Sequence, residues 1–241
     1  MLKLISILML LFLSACAEHK ALLSDQEYLD LGQKHLADRD YNEARQAFED
    51  LEAKHPDSQL LAQARLINAQ SYFDQGKYAE ASLQYQRFLR YHPRNPLADK
   101  AQFQLALSYF NQRLSIDRET TDTLRALQEF ERLLQDYSAS FYALQAEEKK
   151  NLCLEELAEH EFYIGYFYFK QKKYAAAQAR LRKTLTEFPQ GQAAPKSLYY
   201  LAESYWQLDM RPQARQLFKL YLERYAEKEY AAEAEQRLYF Q

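Results

Sequence analysis

No valine occurs anywhere in the 241 residues, and beyond the N-terminal segment isoleucine appears only at Ile67, Ile116 and Ile164. A chain this poor in β-branched residues has almost nothing from which to build a sheet. Glycine is scarce as well, with four residues against an average near 7%. The formal charge of −3 shows no basic excess, so nothing points to nucleic acid. Catalytic signatures are missing too: no nucleophile elbow, phosphate loop or dinucleotide fingerprint appears. His160-Glu161 starts like an HExxH zinc site, but the position of the second histidine is Ile164, so a metal would lack a ligand.

What the chain does contain is a repeated helical unit. In Ala69–Pro93, Ala69 and Tyr72 share one helical face, Gly76 ends that helix, Tyr78 and Ala81 open a second, and Pro93 stops it. Gly32, Ala44, Phe48 and Pro56 lie 37 residues before Ala69, Ala81, Tyr85 and Pro93. Gly165, Ala177, Leu181 and Pro189 stand in the same relation to Ala202, Ala214, Phe218 and Ala226. A fifth unit, with Ala106, Tyr109, Ala126, Phe130 and Leu133, carries about eight extra residues between its helices. In each regular unit the small residue of the first helix precedes that of the second by 12, the tetratricopeptide spacing. The 20 tyrosines fall largely at repeat positions and read first as packing. His55 and His92 both precede repeat-ending prolines, which suits turn chemistry better than metal ligation.

The expected fold is therefore all-α: a right-handed superhelix of five tetratricopeptide helix pairs with a C-terminal capping helix. The units run over about 25–56, 62–93, 97–138, 141–189 and 195–226, with a cap at 230–241. Ser24 and Glu27 have capping-box spacing at the first helix. Threonines and Asp122 in the polar insertion Arg113–Thr123 suit a cap on a helix beginning near Leu124. A loop lengthened in one repeat lies on a binding face or is merely tolerated at the surface, and the sequence leaves both open. From Phe141 to Gln171 only Gly165 interrupts, which predicts one long helix.

Residues 1–15 read as a lipoprotein signal peptide, with Lys3, an apolar core from Leu4 to Leu13 too short to span a membrane, and Leu13-Ser14-Ala15-Cys16 as a lipobox. Processing would leave Cys16 as the acylated N-terminus of a tether over residues 16–24, with 30 basic against 34 acidic residues in the mature chain. Two or more acyl chains suffice for stable membrane anchoring. Ala17 in place of aspartate favours sorting to the outer membrane. With Cys16 lipidated, Cys153 has no disulfide partner and reads as a buried thiol.

The lipobox, the five units, Pro56-Asp57-Ser58 with Ala62-Gln63-Ala64, Tyr85-Gln86-Arg87-Phe88 with His92-Pro93, Ile116-Asp117-Arg118 and Leu157-Ala158-Glu159-His160-Glu161 together resemble the BamD (ComL) family. These are lipoproteins of the outer-membrane β-barrel assembly machinery, and the resemblance covers essentially the whole chain. It departs at Ser138, where the family usually has the repeat-ending proline, and at Gly165, in place of a more usual alanine. It implies a non-enzymatic, cofactor-free scaffold, lipid-anchored to the outer membrane and facing the periplasm. Its implied partners are the POTRA region of BamA, other Bam lipoproteins and unfolded outer-membrane β-barrel proteins. The family's BamA contact falls on Arg180, which from its spacing alone is a solvated helix residue.

By tetratricopeptide geometry Gln33, Gln70 and Leu107, with Leu36, Phe73 and Phe110, tend toward the concave face, where amides bond an extended backbone and rings take its side chains. The competing reading makes Phe73 and Phe110 inter-repeat core. Two other functions fit the sequence less well. A lipid-anchored peptidoglycan lyase needs a catalytic domain for which the repeats leave no room, and Tol-associated adaptors typically carry a coiled coil and no lipobox.

Overall fold

The computed structural model describes residues 22–239. It contains eleven α-helices among the described residues: α1 (Asp25–Ala37), α2 (Tyr41–Lys54), α3 (Leu61–Asp74), α4 (Tyr78–Tyr91), α5 (Ala98–Phe110), α6 (Thr121–Asp136), α7 (Ala143–Lys170), α8 (Tyr174–Glu187), α9 (Ala193–Gln207), α10 (Arg211–Tyr225) and α11 (Ala231–Tyr239). The chain divides into two compact units between Ala64 and Arg65. That division falls inside α3, within the second of the five expected repeats. The fold is all-α with tetratricopeptide pairing.

In the first unit α1 packs against α2. The expected capping box is present: Ser24 N–H donates to Glu27 Oε2 at 2.7 Å, and Glu27 N–H donates to Ser24 Oγ at 3.3 Å. At the far end Ser58 Oγ donates to Asp25 Oδ2 at 2.6 Å, and Lys54 Nζ donates to the Tyr28 hydroxyl at 2.8 Å. These bonds tie the exit of α2 to the entry of α1. In the second unit each helix from α4 to α11 packs on its sequence neighbour, and α7 also touches α9.

The small residues where paired helices meet are buried, Gly32 and Gly165 among them, and Ala44, Ala69, Ala81, Ala106, Ala126, Ala177, Ala202 and Ala214 are wholly so. Their larger counterparts Tyr85, Phe130, Leu181 and Phe218 are equally covered, and Phe48 nearly so. Each such side chain contributes about 2–3 kcal/mol by leaving water. Of the tyrosines, Tyr85 and Tyr221 have no exposed surface, whereas Tyr91, Tyr163 and Tyr239 are exposed.

The turn inside each regular pair is one motif. Asp40 N–H reaches His35 O and Arg39 N–H reaches Leu36 O; Lys77, Lys173 and Met210 repeat the first bond to Tyr72, Tyr168 and Tyr205. This is the Schellman arrangement, which needs a left-handed residue after the helix. Arg39, Gly76, Lys172 and Asp209 all have φ between 57° and 72°, so only one of the four turns uses glycine.

The turn between pairs is equally regular. His55, His92 and Phe188, each before a proline, adopt φ −130° with ψ between 49° and 61°. Tyr137, before Ser138, adopts φ −133° and ψ 46°, so the missing proline leaves this geometry unchanged. The geometry does not require proline, since tyrosine before serine reaches the same backbone.

Two expectations about α6 need correction. The helix begins at Thr121 rather than near Leu124, and its N-cap Thr120 makes no side-chain capping bond. The long helix is as expected: α7 runs 28 residues, about 42 Å.

Candidate functional site

The strongest charge constellation lies where α7 meets α8. Glu161, with only 10% of its side chain exposed, accepts from Lys183 Nζ at 2.5 Å and from Arg180 Nη1 at 3.1 and 3.5 Å. Both cations are about two-fifths exposed, at 43% for Arg180 and 42% for Lys183. Lys183 also lies 3.8 Å from Glu187 Oε2. Burial pushes the Glu161 carboxyl up, but the hydrogen bonds and charges of Lys183 and Arg180 outweigh it and hold the group below its ordinary value.

The backbone explains how these residues meet. Gly165 lets the two helices approach: a Cβ there would lie 2.9 Å from Leu181 Cδ2 and 3.3 Å from Arg180 Cβ. Arg180 is therefore seated against α7, and its carboxylate partner is internal. From its spacing alone Arg180 reads as a solvated helix residue, and Glu161 reads as part of the Leu157–Glu161 motif or of an incomplete metal motif, with nothing in the sequence to pair the two. The signal available was antiparallel pairing, which sets residues one turn before Gly165 opposite residues after Ala177.

The repeat does not demand a cation at this place. The positions equivalent to Arg180 are Ala47, Gln84, Glu129 and Leu217. In the unit of α5 and α6 the equivalent cluster has a different order of charge: Gln102 Nε2 donates to Glu129 Oε2 at 2.8 Å, and Arg132 Nη1 pairs with Glu129 at 3.2 Å. Only the α7/α8 pair puts arginine there.

The candidate groove residues divide between the two compact units. Gln33 is exposed and Leu36 half-buried on α1. In the second unit the Gln70 amide is already engaged: Nε2 donates to Asp74 at 2.8 Å, and Oε1 accepts from the Tyr85 hydroxyl at 3.0 Å and from Gln104 at 3.3 Å. Phe73 is half-buried with its ring edge-on to Tyr78 at 5.2 Å, and Leu107 is half-buried. Phe110 corrects the groove reading. It is 9% exposed, packs edge-on against Phe130 at 6.0 Å and lies under the Arg113 guanidinium, as core does. The geometry thus joins Gln70 to Gln104 but leaves Phe110 no open face.

The insertion is fastened to α7. Arg113 Nε pairs with Glu156 Oε2 at 2.7 Å, and His160 Nδ1 lies 2.7 Å from Ile116 O. His160 is thereby accounted for, and among the described residues no group of three or more His, Cys, Asp or Glu side chains could hold a metal. Cys153 is buried without a disulfide, and burial pushes its thiol up to about 12. Cys16 lies outside the described residues. No described helix is long and apolar enough to cross a membrane.

A family model described as "YfiO: Outer membrane lipoprotein" matches residues 23–220. The outer membrane protein assembly factor BamD of Caulobacter vibrioides is 26% identical over 175 residues, which is 73% of this chain and 57% of that protein. BamD of Rickettsia prowazekii is 26% identical over 180 residues, 75% of this chain and 72% of that protein. The chain thus spans little more than half the length of the Caulobacter relative. A thermophilic TPR protein of Thermus thermophilus is 17% identical, covering 89% of this chain and 97% of that structure at a TM-score of 0.37.

Proposed function

Because the chain belongs to the YfiO family of outer membrane lipoproteins, we propose that it is a non-enzymatic scaffold lipoprotein of the β-barrel assembly machinery. Its acylated Cys16 holds it on the periplasmic face of the outer membrane. It docks the POTRA region of BamA, works beside other Bam lipoproteins and receives unfolded outer-membrane proteins for folding and insertion. The family match over residues 23–220 carries this reading, and the BamD relatives over about three quarters of the chain support it. Arg180 is the docking residue. Its support is local: the repeat packs without a cation there, yet this pair retains one at a half-exposed position.

The test is binding to purified BamA periplasmic domains. Arg180→Glu would set a second carboxylate beside Glu161, so Arg180→Met is the cleaner variant: it keeps the packed stem while Lys183 still neutralises Glu161. Arg180→Met is expected to weaken binding by about 2–5 kcal/mol if its bond is desolvated on docking, and Arg45→Met on α2 serves as control. Equal binding by two variants that remain helical would move the docking surface elsewhere. Mass spectrometry of membrane-extracted protein checks the anchor: an unmodified N-terminus, or cleavage elsewhere than before Cys16, removes it.

A further inference from the structure

We propose that Glu161 and Lys183 form a built-in positioning device for Arg180, which presents one edge of its guanidinium to a carboxylate on an acidic docking surface. This inference rests on the docking reading of Arg180 above. Glu161 engages Arg180 through Nη1 alone, at 3.1 and 3.5 Å. A guanidinium offers a rigid fork of donors, so a contact confined to Nη1 pins that corner and leaves the Nε and Nη2 donors to meet a second carboxylate. Lys183 makes the arrangement work electrostatically. Glu161 and Arg180 by themselves would cancel, and a partner carboxylate would compete with Glu161 for the same cation. The shorter contact of Lys183, 2.5 Å, satisfies the buried carboxylate, so Glu161 does not claim the whole of the Arg180 charge. Glu187, half exposed and 3.8 Å from Lys183, brings the four side chains to zero net charge, so what a partner meets is the open donor edge of Arg180 rather than a net positive charge.

The device has a signature that a direct contact by Lys183 lacks. Removing Lys183 hurts docking only because Glu161 then claims Arg180. Once Glu161 is neutral, Lys183 has nothing to offset. A glutamine at 161 still accepts from Nη1 and keeps the fork oriented, whereas alanine does not.

The experiment measures Kd for BamA periplasmic domains with the full mature chain and five variants, each confirmed folded by circular dichroism. Lys183→Met is expected to weaken binding about tenfold in the Glu161 background and less than about twofold in the Glu161→Gln background, a coupling in the range that double-mutant cycles detect. Glu161→Gln alone binds at least as tightly as wild type, and Glu161→Ala binds more weakly. An equal Lys183→Met penalty in both backgrounds, or none in either, overturns the device while leaving Arg180 as a docking residue. Arg180→Met binding as tightly as wild type removes the docking reading, and this inference with it.

Discussion

A Cβ on Gly32 of α1 would lie 2.4 Å from Cε1 of Phe48 on α2, and the ring cannot retreat because it is itself 4% exposed. Alanine is ordinarily the better helix former by about 1 kcal/mol. Here overpacking, about 1–3 kcal/mol, opposes that gain. Gly32→Ala is expected to lower stability by about 1–2 kcal/mol, and Gly32→Ala with Phe48→Leu to recover most of it. Thermal unfolding of the three chains decides the matter, and a stabilised single variant would mean that the ring moves.

A buried ion pair ties the terminal helix to α9. Arg237 Nε and Nη2 reach Glu203 Oε1 and Oε2 at 2.7 and 3.3 Å, with Glu203 only 6% exposed, and the guanidinium lies 5.1 Å from the Trp206 ring. Arg237→Met leaves a buried carboxylate unpaired and is expected to cost about 3 kcal/mol. Hydrogen exchange should show the loss first in α11. Unchanged protection there would mean that Ala234 and its apolar contacts hold the helix alone.

Glu161 makes stability depend on acid. Its folded pKa lies below the ordinary 4.5, so its contribution is complete above that value and disappears as pH falls through the lowered one. Wild type should therefore exceed Glu161→Gln in stability at pH 7 by about 1–3 kcal/mol, with the gap shrinking toward pH 3. Denaturant titrations at several pH values read this directly, and a constant gap refutes it.

Cys153 should be inert in the folded protein. Its thiol is fully buried, and burial pushes it up to about 12, so almost no thiolate forms at pH 8. In a Cys16→Ala chain, a thiol reagent is expected to react with Cys153 at the rate of unfolding and quickly in denaturant. Fast labelling of native protein would show that α7 opens near its middle.

Much of the fold was legible because close approach of helices admits only small side chains, and that demand marks the sequence locally. The 12-residue interval from Gly32 to Ala44 and from Ala69 to Ala81 announces each pair. The capping box at Ser24 and the long helix through Gly165 were readable for the same reason, since each depends on residues a few positions apart. Local signals misled at the insertion: Thr120 and Asp122 are good capping types, but α6 starts at Thr121 and Thr120 makes no side-chain capping bond.

By itself the sequence determined the helical class, the register of the repeats and the small and large residues that fill the core, all consequences of periodicity and volume. Tertiary structure alone decided which partners side chains far apart in the sequence meet. Whether Arg180 projects into water or bonds Glu161, whether Phe110 opens to a ligand or packs on Phe130, and which group His160 meets at Ile116 depend on residues 19, 20 and 44 positions apart. No local pattern encodes such pairings. They arise from how two helices rotate against each other once their small residues have met.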